Sequence, residues 1–384
     1  MRIANRIANL PAYVFAEAGK TIAAMKARGV DVIDLGMGSP DLAPPDWILD
    51  HLNTAARDPH KHGYAGYFGL PVFRRAVASY YRQRFGVELD PDREVVALIG
   101  SKEGIFNTAL AFIDAGDVAL IPDPGYPTYT MSVIMAGGEP VPMPLLAERG
   151  FMPDLSAVPG EALRRAKLMW LNYPNNPTAA VPAPEFLAEA VAFAREHDLL
   201  LCYDNPYCDV AFDGYVAPSI LQVPGAKEVV LEFNSLSKTY NMAGWRVGMA
   251  VGSARAVEAL ARVKTNIDSG IFAPIQEAAA AALTGDQAWL KERNAIYQRR
   301  RDAVLDFLPA VGMKAEKPLS TLYVWARVPE GETSAAFARR ILERTGVWLT
   351  PGTAFGANGE GYVRIALTHP EARLQEAGER LRRA

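Results

Sequence analysis

Leu199-Leu200-Leu201-Cys202-Tyr203-Asp204-Asn205-Pro206-Tyr207 is the stretch on which the architecture turns. Its first five residues form a short, unbroken apolar run, which suits a strand covered on both faces of a sheet. The run then stops at a carboxylate, an amide and a proline. Just upstream, Phe186, Ala190 or Val191, and Ala194 recur at helical spacing. The same rhythm extends along the chain. Further apolar runs lie at 95–99, 118–121, 167–171, 229–233 and 248–251, and Phe73, Val77, Tyr80 and Tyr81 mark another amphipathic helix. Strands alternating with helices predict an α/β core with a mostly parallel sheet.

Beyond this core the texture changes. A long helical pattern at 286–308 shows an apolar stripe of Trp289, Ile296, Ala303 and Phe307. A strand at 322–328, a helix near 334–345, a strand at 362–367 and a last charged helix follow. They predict a smaller α+β unit, and the first forty residues, which lack the strand–helix rhythm, are expected to join it. The expected division is a large domain at 45–285 and a small domain made of 1–44 and 286–384.

With 384 residues, 50% hydrophobic and 22% charged, the chain can bury a large core without disulfides and is not disordered. Forty basic against 43 acidic residues leave a net charge of −3, which argues against nucleic acid or an anionic membrane as partner. No run of about 18 apolar residues is present, so no membrane span is expected. Residues 1–15 lack a signal-peptide core. Two cysteines are too few for a secreted disulfide framework, so the cytoplasm is the expected setting.

The candidate chemistry sits where the apolar runs end. Run 95–99 passes into Gly100-Ser101-Lys102-Glu103-Gly104, run 118–121 into Pro122-Asp123-Pro124-Gly125-Tyr126, and run 167–171 into Asn172-Tyr173-Pro174-Asn175-Asn176-Pro177-Thr178. Run 229–233 passes into Asn234-Ser235-Leu236-Ser237-Lys238. Open α/β sheets bind ligands at the carboxyl ends of their strands, so these segments are expected to share one pocket. Gly100-Ser101-Lys102 reads either as an ordinary helix cap or as a phosphate cradle; the Walker spacing is absent. Lys238 is either a strand-end lysine reaching for water or an amine that forms a Schiff base in a dry pocket. Asp204 is either a turn cap or a buried charge with a partner. Together, a Schiff-base lysine, a carboxylate for a pyridinium nitrogen and a phosphate cradle match the needs of pyridoxal 5′-phosphate.

Other features read as structural. Cys202 and Cys208 are a core thiol and a loop thiol. His60-x-His62 lacks companion ligands and reads as a surface loop, not a metal site. Arg299-Arg300-Arg301 reads as a solvated helix face. Trp170 and Trp325 are expected in the core.

The run Ser235-Leu236-Ser237-Lys238-Thr239-Tyr240-Asn241-Met242-Ala243-Gly244-Trp245-Arg246 resembles the lysine segment of fold-type I, class I/II aminotransferases. Asn175-Asn176-Pro177-Thr178, Asp204-x-x-Tyr207 and Tyr362-Val363-Arg364-Ile365 match that family's other motifs in the same order. The resemblance spans nearly the whole chain. It implies a three-layer αβα large domain with a mostly parallel seven-stranded sheet, a smaller α+β domain, and pyridoxal 5′-phosphate as cofactor. Lys238 would form the Schiff base and move the proton, Asp204 would pair with the ring nitrogen, and Asn176 and Tyr207 would hold the ring oxygen. Tyr126 would stack on the ring. Ser101, Lys102, Ser235, Ser237 and Arg246 would hold the phosphate. Tyr64 would reach the neighbouring subunit's phosphate, which implies a homodimer with shared sites. Arg364 would grip the substrate carboxylate beside Gly38, a task suited to a planar two-pronged donor.

Within the class, Gly100-Ser101-Lys102-Glu103-Gly104, Pro218-Ser219-Ile220-Leu221 and Lys264-Thr265-Asn266-Ile267-Asp268-Ser269-Gly270 resemble the LL-diaminopimelate aminotransferase group. Tyr13 and Asn266 match its substrate-side positions. The implied reaction moves an amino group from an L-amino acid to a 2-oxo acid, with 2-oxoglutarate as the expected acceptor and ping-pong kinetics. One departure stands out. Where that group carries a glutamate, this chain reads Gly66-Tyr67-Phe68-Gly69. Aspartate, alanine or aromatic donors therefore stay open, as does a carbon–sulfur β-lyase on the same cofactor. A regulatory protein with a DNA-binding segment ahead of such a body fits poorly, because the family pattern begins within the first forty residues.

Overall fold

A computed structural model describes residues 1–8, 10 and 14–383. Tyr13 lies outside the described residues. In chain order the strands are β1 (Ile33–Asp34), β2 (Val95–Leu98), β3 (Val118–Asp123), β4 (Glu139–Pro144), β5 (Ala166–Asn172), β6 (Leu200–Asp204), β7 (Val230–Ser235), β8 (Gly248–Gly252), β9 (Lys314–Ala315), β10 (Tyr323–Arg327), β11 (Val347–Trp348), β12 (Thr350–Pro351) and β13 (Tyr362–Ala366).

Seven of them form the main sheet in the order β2-β8-β7-β6-β5-β3-β4. The block β7-β6-β5-β3-β4 is parallel throughout, and β8 runs antiparallel to both its neighbours. Strands alternate their side chains between the two faces. Val95, Ala97, Met169, Leu171, Leu201 and Tyr203 pack with helices Pro71–Phe85, Pro184–Glu196 and Ala273–Thr284. Val96, Leu98, Leu168, Trp170, Cys202 and Phe233 pack with helices Ser101–Phe112, Thr128–Ala136 and Ala254–Lys264. This is the expected three-layer αβα sandwich. Six of its strands coincide with the apolar runs. The seventh, β4, reads Glu-Pro-Val-Pro-Met-Pro. Its prolines remove ladder donors, which is tolerable only at the sheet edge where β4 sits.

A four-stranded antiparallel sheet, β12-β13-β10-β9, forms a second unit, and β1 pairs parallel with β11. Ile33 and Leu35 share its core with Phe337, Ile341, Ile365 and Leu374. The long helix Trp289–Phe307 requires a correction. Its buried face is Arg293, Tyr297, Arg300, Arg301, Val304 and Phe307, not the stripe expected from Trp289, Ile296 and Ala303. Arg300 and Arg301 are therefore not on a solvated face. Arg300 grips Asp41 with two bonds of 2.7 and 2.8 Å, and Arg301 meets Asp213 at 2.6 Å and the Pro318 carbonyl at 2.8 Å. Arginines are buried only when so paired, and apolar periodicity does not reveal it. Arg299 alone of the three is exposed, beside Glu371.

Both cysteines are buried and unpaired. Among the described residues no helix is long and apolar enough to cross a membrane, and no metal-ligating cluster occurs.

Glu232 is fully buried in the middle of β7 and accepts from the Tyr81 and Ser219 hydroxyls, the Asn205 amide and the Ile220 N–H. Burial outweighs these donors and pushes its carboxyl from 4.5 up to about 7. The folded chain then holds a proton that the unfolded chain releases, so stability falls as pH rises from 4.5 towards 7. Glu232→Gln is expected to flatten that slope by up to about 2–3 kcal/mol, measured by urea unfolding at pH 5 and pH 7.5. An unchanged slope would contradict the assignment.

Candidate active site

Parallel pairing places the ends of β3, β5, β6 and β7 on one edge of the sheet. β8 runs the other way, so its entry, preceded by Arg246, lies on the same edge, as does the exit of β2 into Gly100. The segments that leave or enter there enclose a cavity of about 250 Å³. Its lining includes Gly38, Ser101, Lys102, Tyr126, Asn176, Asp204, Tyr207, Ser235, Ser237, Lys238, Arg246 and Arg364, all sequence candidates. Tyr129, Asn172 and Tyr323 line it too, and the sequence had assigned none of them a role.

Asp204 ends β6 and is 4% exposed. Its Oδ2 accepts from the Tyr129 hydroxyl at 2.6 Å, while its Oδ1 is buried with no hydrogen-bond partner among the described residues. Burial pushes this carboxyl up to about 6, against the pull of Tyr129. A buried acceptor without a donor costs about 1–3 kcal/mol, so the site suits an incoming cationic N–H. Asn172, paired with Asp204 across β5 and β6, donates to the Asp204 carbonyl at 2.7 Å and accepts from the Asn176 N–H at 2.8 Å.

Lys238 sits in the short helix Leu236–Thr239, capped by the Ser235 side chain. Its Nζ donates to the Gly38 carbonyl at 2.7 Å. Burial, with the charges of Arg364 and Arg246, lowers its pKa and so favours the neutral amine. No carboxylate lies within ion-pair distance of Lys238 among the described residues.

At the far side, helix Ser101–Phe112 begins after Gly100, which has φ +72° and offers no side-chain cap. A Cβ on Gly100 would lie 2.1 Å from Arg246 Nη2. Glycine here lets a guanidinium approach the helix N-terminus, an arrangement suited to a phosphate. Ser235 and Ser237 are buried beside it. The orphaned carboxylate oxygen and this cradle together fit the ring nitrogen and phosphate of pyridoxal 5′-phosphate.

Arg364, on β13, is 3% exposed and donates to Asn176 Oδ1 at 2.8 Å and to the Gly36 carbonyl at 2.6 Å. Its guanidinium lies 4.1 Å from the Tyr323 ring centre and 4.6 Å from that of Phe355. Tyr126 meets Tyr129 edge-on at 5.7 Å. Two candidates do not line the cavity of their own chain. Tyr64 is 91% exposed, and Asn266 is exposed with its amide on the Arg262 carbonyl. Tyr129 follows Tyr126 by three residues, just inside helix Thr128–Ala136, a proximity available in the sequence. Tyr323 had no such signal, since only the β10–β13 register brings it beside Arg364.

Residues 30–381 match the family described as aminotransferase class I and II. The LL-diaminopimelate aminotransferase of Moorella thermoacetica is 54% identical over 383 residues, covering 100% of this chain and 98% of that protein. The substrate-bound BacF structure from Bacillus subtilis has a TM-score of 0.95 at 39% identity, covering 100% of this chain and 98% of that one. A mutant aspartate aminotransferase of Thermus thermophilus has a TM-score of 0.92 at 32% identity, with both chains fully covered.

Gly100→Ala is expected to displace Arg246 and to strain the backbone, weakening pyridoxal 5′-phosphate binding about 10–100-fold in a fluorescence titration. Unchanged affinity would show that the cradle does not hold the phosphate.

Proposed function

The chain belongs to the aminotransferase class I and II family, and from that premise we propose that it transfers the amino group of LL-diaminopimelate, or a related donor, to a 2-oxo acid such as 2-oxoglutarate with pyridoxal 5′-phosphate as cofactor. The observation that carries this is the buried Asp204 Oδ1, without a hydrogen-bond partner among the described residues, in the same cavity as a buried Lys238 whose pKa burial lowers. When bound, the cofactor supplies an aldehyde that condenses with amines and a pyridinium ring that withdraws electrons from the bond being broken.

The residues divide the remaining work. Asp204 holds the ring nitrogen as a cation and gains the donor its Oδ1 lacks. Asn176 and Tyr207 donate to the ring oxygen, and Tyr126 covers a ring face. Ser101 and Lys102 at the helix N-terminus, with Ser235, Ser237 and Arg246, hold the phosphate. Lys238 Nζ, with no carboxylate in ion-pair distance among the described residues, would be the attachment point for the cofactor and the base that takes the proton from the substrate α-carbon. Arg364 fixes the α-carboxylate beside Gly38. Its two aromatic neighbours, Tyr323 and Phe355, favour the guanidinium orientation.

Exposure of Tyr64, Tyr67, Phe68, Ile267 and Phe272 supports a homodimer in which Tyr64 and Asn266 complete the neighbouring copy's site. Tyr13 would join them on the substrate side. Two unpaired buried thiols are in keeping with a cytoplasmic setting. The stretch Gly66-Tyr67-Phe68-Gly69 offers no acid to a distal ammonium, which favours a donor range wider than diaminopimelate.

Lys238→Ala is expected to lower turnover at least about 10³-fold, and Asp204→Asn about 10²–10³-fold, in coupled glutamate-release assays. Substantial turnover by Lys238→Ala would contradict the scheme. A donor panel with 2-oxoglutarate is expected to show LL-diaminopimelate among the fastest substrates. Background rates with it and fast rates with alanine or aspartate would refute the donor but keep the reaction. Pyruvate and ammonia released from cystathionine without any 2-oxo acid would instead indicate a β-lyase.

A further inference from the structure

Tyr323 lies on β10 in the second sheet, yet three residues that line the cavity, Tyr207, Arg364 and Gly38, converge on it. Its hydroxyl is 3.0 Å from that of Tyr207, with the two rings edge-on at 5.7 Å and 73°. The Arg364 guanidinium lies over its face at 4.1 Å. A Cβ on Gly38 would lie 2.1 Å from its hydroxyl, so this contact exists only because residue 38 is glycine. The carbonyl of that same glycine receives Lys238 Nζ.

We propose that Tyr323 is a positioning residue with two separable parts: its hydroxyl orients the Tyr207 phenol towards the cofactor ring oxygen, and its ring orients Arg364 for the substrate carboxylate. The inference rests on the cofactor reading above.

A phenol donates once. If Tyr207 donates to the ring oxygen, its contact with Tyr323 must be donated by Tyr323. The acidities favour that direction. Burial pushes Tyr323 up, but the charges of Arg364 and Lys238 outweigh it and hold this phenol below its ordinary value. Burial, reinforced by Tyr323 and by Asp204, pushes Tyr207 well above its own. The more acidic phenol donates to the more basic one, and a chain of donors strengthens its last link. Arg364 is held edgewise by Asn176 and the Gly36 carbonyl, and Tyr323 and Phe355 lie against its faces.

The two parts separate by substitution in the holoenzyme. Tyr323→Phe keeps the ring and deletes the donor. Its visible absorbance band, titrated against pH, is expected to shift upward by about 0.5–1 pH unit, with KM for the amino donor within about threefold of the parent. Tyr323→Leu deletes both, and is expected to show the same spectral shift with KM raised a further ~3–10-fold. Melting temperatures of both variants, read by circular dichroism, separate these effects from a loss of fold. Should Tyr323→Leu fail to fold, the Tyr323→Phe titration decides alone. A parent protein with a normal band and a Tyr323→Phe titration superimposable on it would overturn the role of Tyr323. A parent protein that develops no band with pyridoxal 5′-phosphate would instead overturn the cofactor reading and this inference with it.

Discussion

Everything at the candidate site depends on β5, β6 and β7 pairing parallel and in register. Asn172 is opposite Asp204, and Asp204 is opposite Phe233. Parallel strands discharge their chains at the same edge, and each of these strands ends one or a few residues before a functional side chain. Lys238 follows β7 by a single turn. A one-residue slip of β6 would turn Asp204 to the opposite face of the sheet, away from Tyr129, and the cavity would lose its acid. The apolar layers on both faces fix the register that prevents this.

Burial then acts on the two central groups with opposite sign. It raises the Asp204 carboxyl and lowers the Lys238 amine, and in each case the neutral form gains. Among the described residues neither group forms an ion pair. A carboxyl poised near neutrality accepts a ring-nitrogen cation, and an amine freed of its proton is a nucleophile. Tyr129 keeps one Asp204 oxygen engaged and leaves the other to the occupant. The second sheet contributes from the opposite side. Arg364 and Tyr323 bring a cation and a phenol to a cavity that is otherwise lined mainly by segments at the edge of the first sheet.

Much of this was legible before any coordinates. Continuous apolar runs marked strands buried on both faces, because such strands admit no polar alternation. The residues at their ends marked the cavity, because the topology leaves them nowhere else to go. The rest was hidden for identifiable reasons. β4 carries three prolines and survives only as an edge strand. Arg300 and Arg301 look solvent-facing until Asp41 and Asp213, remote in sequence, are brought beside them. Tyr323 becomes a neighbour of Tyr207 only through contact between two sheets 116 residues apart. Tyr64 and Asn266 are exposed on this chain, so nothing within one copy shows a role for them.

The most direct test of the central claim is chemical. The protein is loaded with pyridoxal 5′-phosphate, reduced with borohydride, digested, and its labelled peptide identified by mass spectrometry. The account expects the reduced pyridoxyl group on Lys238 and on no other lysine. A label on Lys102 or Lys264, or no stable label at all, would contradict it.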